Sequence, residues 1–274
     1  MKLVLLTCLF FMLGGCTNVL FQPVRQAIFK PEEQGIDVND LYINSGQGIR
    51  LHGWHLPAQK SLKGTVLFLH GNGENITTHV GSVYWLPAQG YEVYLFDYRG
   101  YGQSSGIPDI DGVVNDARSM LEYAIDRSQS SKTKLIVLGH SLGGSISIPA
   151  TAGLADKQKI TALITANAFS DYRQITRDVL SQHWLTNFLR WPLSFLISNH
   201  YRPLEMVADI SPVPLYVLHS DEDEMIPSYH ATALYQTALQ PKYLLKTVGG
   251  HNQNFSLQKN RTLLLKILQD LQAR

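Results

Sequence analysis

The chain has 274 residues, of which 45% are apolar and 16% charged. That is enough apolar material for a core of this size, with fewer charges than the roughly 25% of a typical soluble domain. Its 23 basic and 22 acidic residues leave a net charge of +1, which argues against the basic face that nucleic acid or polyphosphate would need. Internal repeats and low-complexity tracts are absent. Met1 and Lys2 precede an apolar run from Leu3 to Leu13. The run is too short for a membrane-spanning helix, which takes about 20 residues, but it has the length of a signal-peptide core behind a short positive segment.

That run ends in Leu13-Gly14-Gly15-Cys16, which resembles the lipobox of bacterial lipoproteins. The resemblance implies cleavage before Cys16 and acylation of its sulfur and new α-amine. Residues 1–15 would then be a lipoprotein signal peptide, and the mature chain would sit lipid-anchored in the bacterial envelope. Several acyl chains exceed the two signals that stable anchoring takes. Thr17, where an Asp in Gram-negative lipoproteins favours the inner membrane, points toward the outer one. Cys8 would leave with the signal peptide, so the mature chain would hold no thiol for a disulfide, a nucleophile or a metal site. Residues 16–38 read as the lipidated Cys and an aperiodic tether.

From residue 39 onward the pattern is that of one domain. Ile49 to Leu56 alternates apolar and polar, a half-buried strand, and Leu41-Tyr42-Ile43 is placed to pair with it as a hairpin. Thr65–Leu69, Val93–Phe96, Leu135–Leu138, Ala162–Ile164 and Leu215–Leu218 are short continuous apolar runs, as expected of strands buried on both faces of a parallel sheet. Between them, Ile110, Val113, Val114, Ala117, Met120, Leu121, Ala124 and Ile125 recur at helical steps, and so do Leu263, Leu264, Ile267, Leu268 and Leu271 near the C-terminus. This alternation predicts an α/β fold with a doubly wound, mostly parallel sheet. The stretch 171–209 breaks it. Its many Leu, Trp and Phe residues predict one or two short helices, interrupted at Pro192, forming a cap over the sheet.

Gly139-His140-Ser141-Leu142-Gly143 follows a buried strand and precedes a helix-compatible stretch, which is the context that G-x-S-x-G needs. A serine in such a strand-to-helix turn lifts its Oγ above the sheet, and the flanking glycines leave room for the tight backbone. Ser141 would stand at a helix N-terminus, whose unpaired N–H groups face a developing oxyanion. Pro149, two turns on, should kink that helix or end it early.

With this motif the body resembles the α/β-hydrolase superfamily from about Ile49 to the C-terminus. Phe68-Leu69-His70-Gly71-Asn72-Gly73 matches its H-G-x segment. The match implies an oxyanion hole made by the backbone N–H groups of Asn72 and Leu142. Asp97-Tyr98-Arg99-Gly100-Tyr101-Gly102-Gln103-Ser104 looks like its structural loop after the fourth strand. His219-Ser220-Asp221-Glu222-Asp223 resembles the acid loop, with Asp223 in the position of the acid, although Ser220 replaces the usual Gly and leaves Asp221 as a rival. Gly249-Gly250-His251-Asn252 resembles the loop of the catalytic histidine. The order Ser141, Asp223, His251 is that of the superfamily, and the remaining histidines receive no catalytic role.

The resemblance implies a serine hydrolase of carboxylic esters or thioesters acting through an acyl-enzyme, with neither cofactor nor metal. Some proteins with this motif set remove palmitoyl groups from proteins. Peptidases and acyltransferases share these residues and stay open as alternatives. A non-catalytic envelope scaffold is the other alternative, though it has no need to retain all three residues. A nucleotide site is excluded because Gly71-Asn72-Gly73-Glu74-Asn75-Ile76 ends in Ile where the dinucleotide fingerprint requires Gly.

Overall fold

A computed structural model describes residues 20–273; the signal-peptide reading, Cys16 and Thr17 lie outside them. One eight-stranded sheet organises the chain in the order β1-β2-β4-β3-β5-β6-β7-β8. The strands are β1 (Asn39–Asn44), β2 (Arg50–Leu56), β3 (Gly64–Leu69), β4 (Tyr91–Phe96), β5 (Lys134–His140), β6 (Ile160–Ala166), β7 (Leu215–Ser220) and β8 (Lys242–Thr247). β2 runs antiparallel to β1 and β4, while β4, β3, β5, β6, β7 and β8 are mutually parallel. This is the α/β-hydrolase fold.

The continuous apolar runs are explained by burial on both faces. Leu67, Val137, Leu163 and Val217 belong to one core, and Val66, Phe68, Ile136, Leu138 and Ile164 to a second core on the opposite face. The helices that cover these faces, in chain order after the single turn α1 (Ile76–His79), begin with α2 (Ile110–Ser131) and α3 (Leu142–Ala152). Asp109 caps α2 by accepting the Gly112 N–H, which satisfies one of the donors a helix start leaves open. Helix α3 continues through Pro149 and ends three residues later. Next come α4 (Tyr172–Ser181), α5 (Trp184–Asn187), α6 (Arg190–Leu196), α7 (Pro203–Met206), α8 (Tyr229–Thr237) and α9 (Gln258–Ala273). Helix α9 buries Leu264, Ile267, Leu268 and Leu271 in the second core.

Helices α4, α5 and α6 form the cap, and two features of it differ from the sequence expectation. Pro192 does not interrupt a helix. It occupies the first turn of α6, where the backbone N–H it lacks would have had no partner within the helix. The cap also ends before residue 203, because Val207 and Ile210 are buried in the first core. Residues 203–210 are therefore part of the body.

Residues 20–38 are not a free tether. Phe21 is buried in the first core, and the backbone beyond it is tied to two loops above the sheet. The Val24 N–H donates to Glu74 O, and the Gly102 N–H donates to Val24 O. Asn75 Nδ2 donates to the carbonyls of Val24 and Gln26. Arg25 reaches Gly106 O at 3.0 Å. Apart from a short 3-10 turn at Pro31–Gln34, loop partners rather than a helix or a sheet satisfy these backbone groups, so the segment lacks periodicity.

Candidate active site

Ser141 stands between β5 and α3 with φ 53° and ψ −118°, a left-handed region that costs a non-glycine residue about 1–3 kcal/mol. The glycines around it are required by contact. A Cβ on Gly143 would lie 2.1 Å from Leu69 O, and one on Gly139 would lie 2.6 Å from Gly143 O. The backbone of β3 therefore packs directly against the first turn of α3 and leaves no room for a methyl group. The Ser141 N–H donates to Ala166 O at 2.9 Å, pinning the turn to the end of β6.

His251 follows β8 on a loop that Gly249 begins at φ 88°. Its Nε2 lies 3.0 Å from Ser141 Oγ, and its Nδ1 lies 2.8 Å from Asp223 Oδ2. The other Asp223 oxygen, Oδ1, accepts the N–H groups of Met225 and Ile226, each at 2.8 Å. Burial disfavours the charged form of Asp223. The hydrogen bond and charge of His251, with those two N–H groups, outweigh it and hold the carboxyl below its ordinary value. Asp221 lies elsewhere, exposed and paired with Lys246 at 2.6 Å.

Further groups hold the histidine loop in place. Glu224 Oε2 accepts the His251 N–H at 3.1 Å. His140 Nε2 lies 3.1 Å from His251 O, an arrangement in which the imidazole donates. Burial, with repulsion from His251, pushes His140 down to about 3, so it stays neutral near pH 7 and its Nδ1 carries a lone pair. Asn167 links the loop to the sheet, accepting the Ser220 N–H and reaching His251 O. Sequence reasoning gave Glu224 and Asn167 no role. Glu224 adjoins the acid loop, but nothing in spacing announces which loop carboxylate takes a backbone N–H, and Asn167 follows β6 outside every motif.

Asn72 lies opposite, after β3. Its Oδ1 accepts the Gln22 N–H and the Tyr101 hydroxyl, and its Nδ2 donates to Leu20 O. The side chain thus fastens the N-terminal segment to the H-G-x loop. Neither the Asn72 nor the Leu142 N–H has a protein acceptor among the described residues, so both are free for an anionic oxygen.

Ser141 and His251 open into a cavity of about 340 Å³. Leu20 lines it, and Phe169, Ile175, Val179, Leu180, Leu193 and Ile226 form an apolar arm that includes residues of the cap. Asn72, His79, His140 and Asn252 also line an adjoining cleft of about 490 Å³, with Glu74, Thr78 and Ser256. The site therefore has one apolar and one polar approach. His79 belongs to both, a position its sequence context did not reveal.

The sheet and these loops define the α/β-hydrolase class, and the chain belongs to the hydrolase family described as serine aminopeptidase S33, which matches residues 60–203. It is a serine hydrolase. Among curated proteins it is similar to the uncharacterized protein YfhR of Escherichia coli strain K12, 28% identical over 249 residues, covering 89% of this chain and 83% of that one. It is also similar to the alpha/beta hydrolase domain-containing protein WAV2 of Arabidopsis thaliana, 28% identical over 239 residues, covering 81% and 75%. Among solved structures, an esterase of Pyrococcus furiosus superposes with a TM-score of 0.71 at 19% identity, covering 92% and 96% of the two chains. Monoglyceride lipase of Saccharomyces cerevisiae does so with 0.67 at 20%, covering 90% and 98%. At these identities the two structures establish the common fold.

Proposed function

We propose that this protein is a membrane-anchored hydrolase that cleaves carboxylic esters or thioesters of apolar acyl chains. Ser141 is the nucleophile, His251 the base and Asp223 the acid. The observation that carries the reading is the continuous Ser141–His251–Asp223 hydrogen-bond chain, with spacings of 3.0 and 2.8 Å, at the end of an apolar arm. Ser141 Oγ attacks the acyl carbon as its proton passes to His251 Nε2, and the carbonyl oxygen becomes an anion facing the Asn72 and Leu142 N–H groups. Collapse breaks the bond to the leaving oxygen or sulfur, which takes the proton from His251. Water, deprotonated by His251, then attacks the acyl-enzyme, and Ser141 Oγ leaves with that proton. The polar cleft beside Asn72 and His140 suits the leaving alcohol or thiol and the incoming water.

The family description raises an aminopeptidase as a second reading. That activity needs a carboxylate to receive the cationic amine of the substrate. None of the described residues lining the cavity is Asp or Glu; Glu74 lines the adjoining polar cleft, and Glu224 and Asp178 are engaged by the His251 N–H and by His230. A p-nitrophenyl ester series from acetyl to palmitoyl, set against aminoacyl p-nitroanilides, decides between the two. Ester turnover rising into medium or long chains, with amide turnover at least about 10²-fold lower, is expected from an apolar pocket. The opposite ranking would overturn the ester reading.

Anchoring through Cys16, in the outer rather than the inner membrane, is part of this proposal. Its support is the sequence Leu13-Gly14-Gly15-Cys16. Metabolic labelling with a palmitate analogue is expected to mark the wild type and to leave Cys16→Ser unlabelled. A wild type that takes up no label would refute the anchor.

A further inference from the structure

We infer that the outer face of the cap is a docking surface for an anionic lipid bilayer, seated so that the apolar arm opens toward the membrane. The inference rests on the proposed lipid-anchored ester hydrolase and specifies where its substrate comes from.

The first observation is exposure. Trp184, Phe188, Phe195 and Trp191 are 84, 73, 63 and 51% exposed, and Leu185 and Leu196 are exposed beside them. All six lie between residues 184 and 196, on α5, α6 and the turn that joins them. Scattered surface apolar residues are ordinary, but a concentration of large ones marks an interaction site. Two of the six are Trp, the side chain that sits best at a membrane–water boundary, with its ring in the acyl region and its N–H among headgroups.

The second observation is that folding does not need this face. Polar contacts on the inner side hold the cap. Arg177 Nε donates to Ser194 Oγ and Arg173 Nε to Ile197 O, both at 2.9 Å. Arg202 pairs with Asp171 at 2.6 Å. Gln182 donates to Glu224 O at 2.9 Å, and Asp178 takes His230 and the Tyr229 hydroxyl. Of the aromatic side chains, Trp191 and Phe195 lie 4.4 and 5.9 Å from the Arg177 guanidinium yet leave half or more of their surface exposed, and Trp184 and Phe188 are more exposed still.

Charge selects the occupant. Between Asp178 and Glu205 the sequence contains no acidic residue, and its formal charges are Arg190 and Arg202. Arg202 is consumed by Asp171 and Glu205, whereas Arg190 has no carboxylate partner among the described residues and stands 6.0 Å from the Trp191 ring. An aromatic face without carboxylates, carrying one free guanidinium, matches anionic headgroups over acyl chains.

The chain start fixes the orientation. Leu20 lines the same cavity as Val179, Leu180 and Leu193 of the cap. Cys16 precedes it by four residues, so the backbone keeps the two within about 15 Å. A lipid at Cys16 therefore holds the cavity mouth and the adjoining cap against the bilayer. A tether this short gives the body little freedom to turn the cap away.

The test uses full-length protein reconstituted in phosphatidylethanolamine–phosphatidylglycerol vesicles with or without brominated acyl chains, which quench tryptophan on contact. Trp54 and Trp85 are buried and serve as the unquenched background for Trp184 and Trp191. Brominated chains are expected to remove about a third or more of the emission, and Trp184→Phe with Trp191→Phe to abolish that loss. A protein that floats with the vesicles yet is not quenched would overturn cap docking and leave the anchor intact. So would a stable dimer with unquenched, blue-shifted emission, since a second copy would then cover the face. In a parallel assay, Trp184→Ser with Phe188→Ser should lower hydrolysis of a vesicle-embedded long-chain ester about tenfold and leave a soluble short-chain ester unchanged. Equal loss on both esters would also overturn docking. A wild type inactive on the soluble ester would refute the hydrolase reading, whatever the quenching shows.

Discussion

Replacing Ser141 with alanine should lower kcat toward a p-nitrophenyl ester by about 10⁴-fold or more, the scale seen when a triad nucleophile is removed. The oxygen that is lost makes the 3.0 Å contact with His251. The rest of the turn depends on groups that alanine keeps. The Ser141 N–H still bonds Ala166 O, and Ser141 O still accepts the Ser145 N–H. The positive φ is imposed by the packing of β3 against Gly143, and alanine tolerates it as serine does. Thermal unfolding should therefore shift little while turnover disappears. A variant that keeps a tenth of wild-type kcat would remove Ser141 from the chemistry.

Asp223→Asn should cost nearly as much, about 10⁴-fold in kcat, and the hydrogen bonds explain why. Asp223 Oδ1 accepts two backbone N–H groups, so an asparagine would keep its carbonyl there and turn its NH₂ toward His251 Nδ1. The imidazole would have to carry its proton on Nε2 and could no longer accept one from Ser141. Asp221→Asn breaks only an exposed ion pair with Lys246, which solvent screens almost fully, and should change kcat less than about twofold. Steady-state kinetics of the two variants side by side provides the check. A larger loss in Asp221→Asn would move the acid to that residue.

These residues show which parts of the site a sequence can disclose. The nucleophile turn was legible because its constraint is local. Gly139 and Gly143 stand where any Cβ would strike backbone, so the steric requirement is written in the chain at fixed spacing. The parallel strands were legible because burial on both faces removes alternation. Position in the motif pointed to Asp223 as the acid, with Asp221 left as a rival. The N–H groups of Met225 and Ile226 close on Asp223, a loop conformation that spacing does not encode. Glu224 was missed for the same reason. The segment 20–38 read as a tether because a strap held by Asn72, Asn75 and Arg25 has no period to detect. In the cap, composition announced extra apolar residues. Only the folded arrangement separates Leu193, which lines the cavity, from Trp184 and Phe188, which face outward.

The most direct test of the central claim is covalent labelling of the full-length protein by a fluorophosphonate, beside Ser141→Ala. The reagent phosphonylates a serine oxygen with loss of fluoride, and it does so at useful rates only where a base takes the serine proton. Rapid, stoichiometric labelling at Ser141, absent from the folded Ser141→Ala protein, is the result this structure predicts. A folded wild-type protein that stays unlabelled, or labelling that persists in the alanine variant, would contradict an activated Ser141.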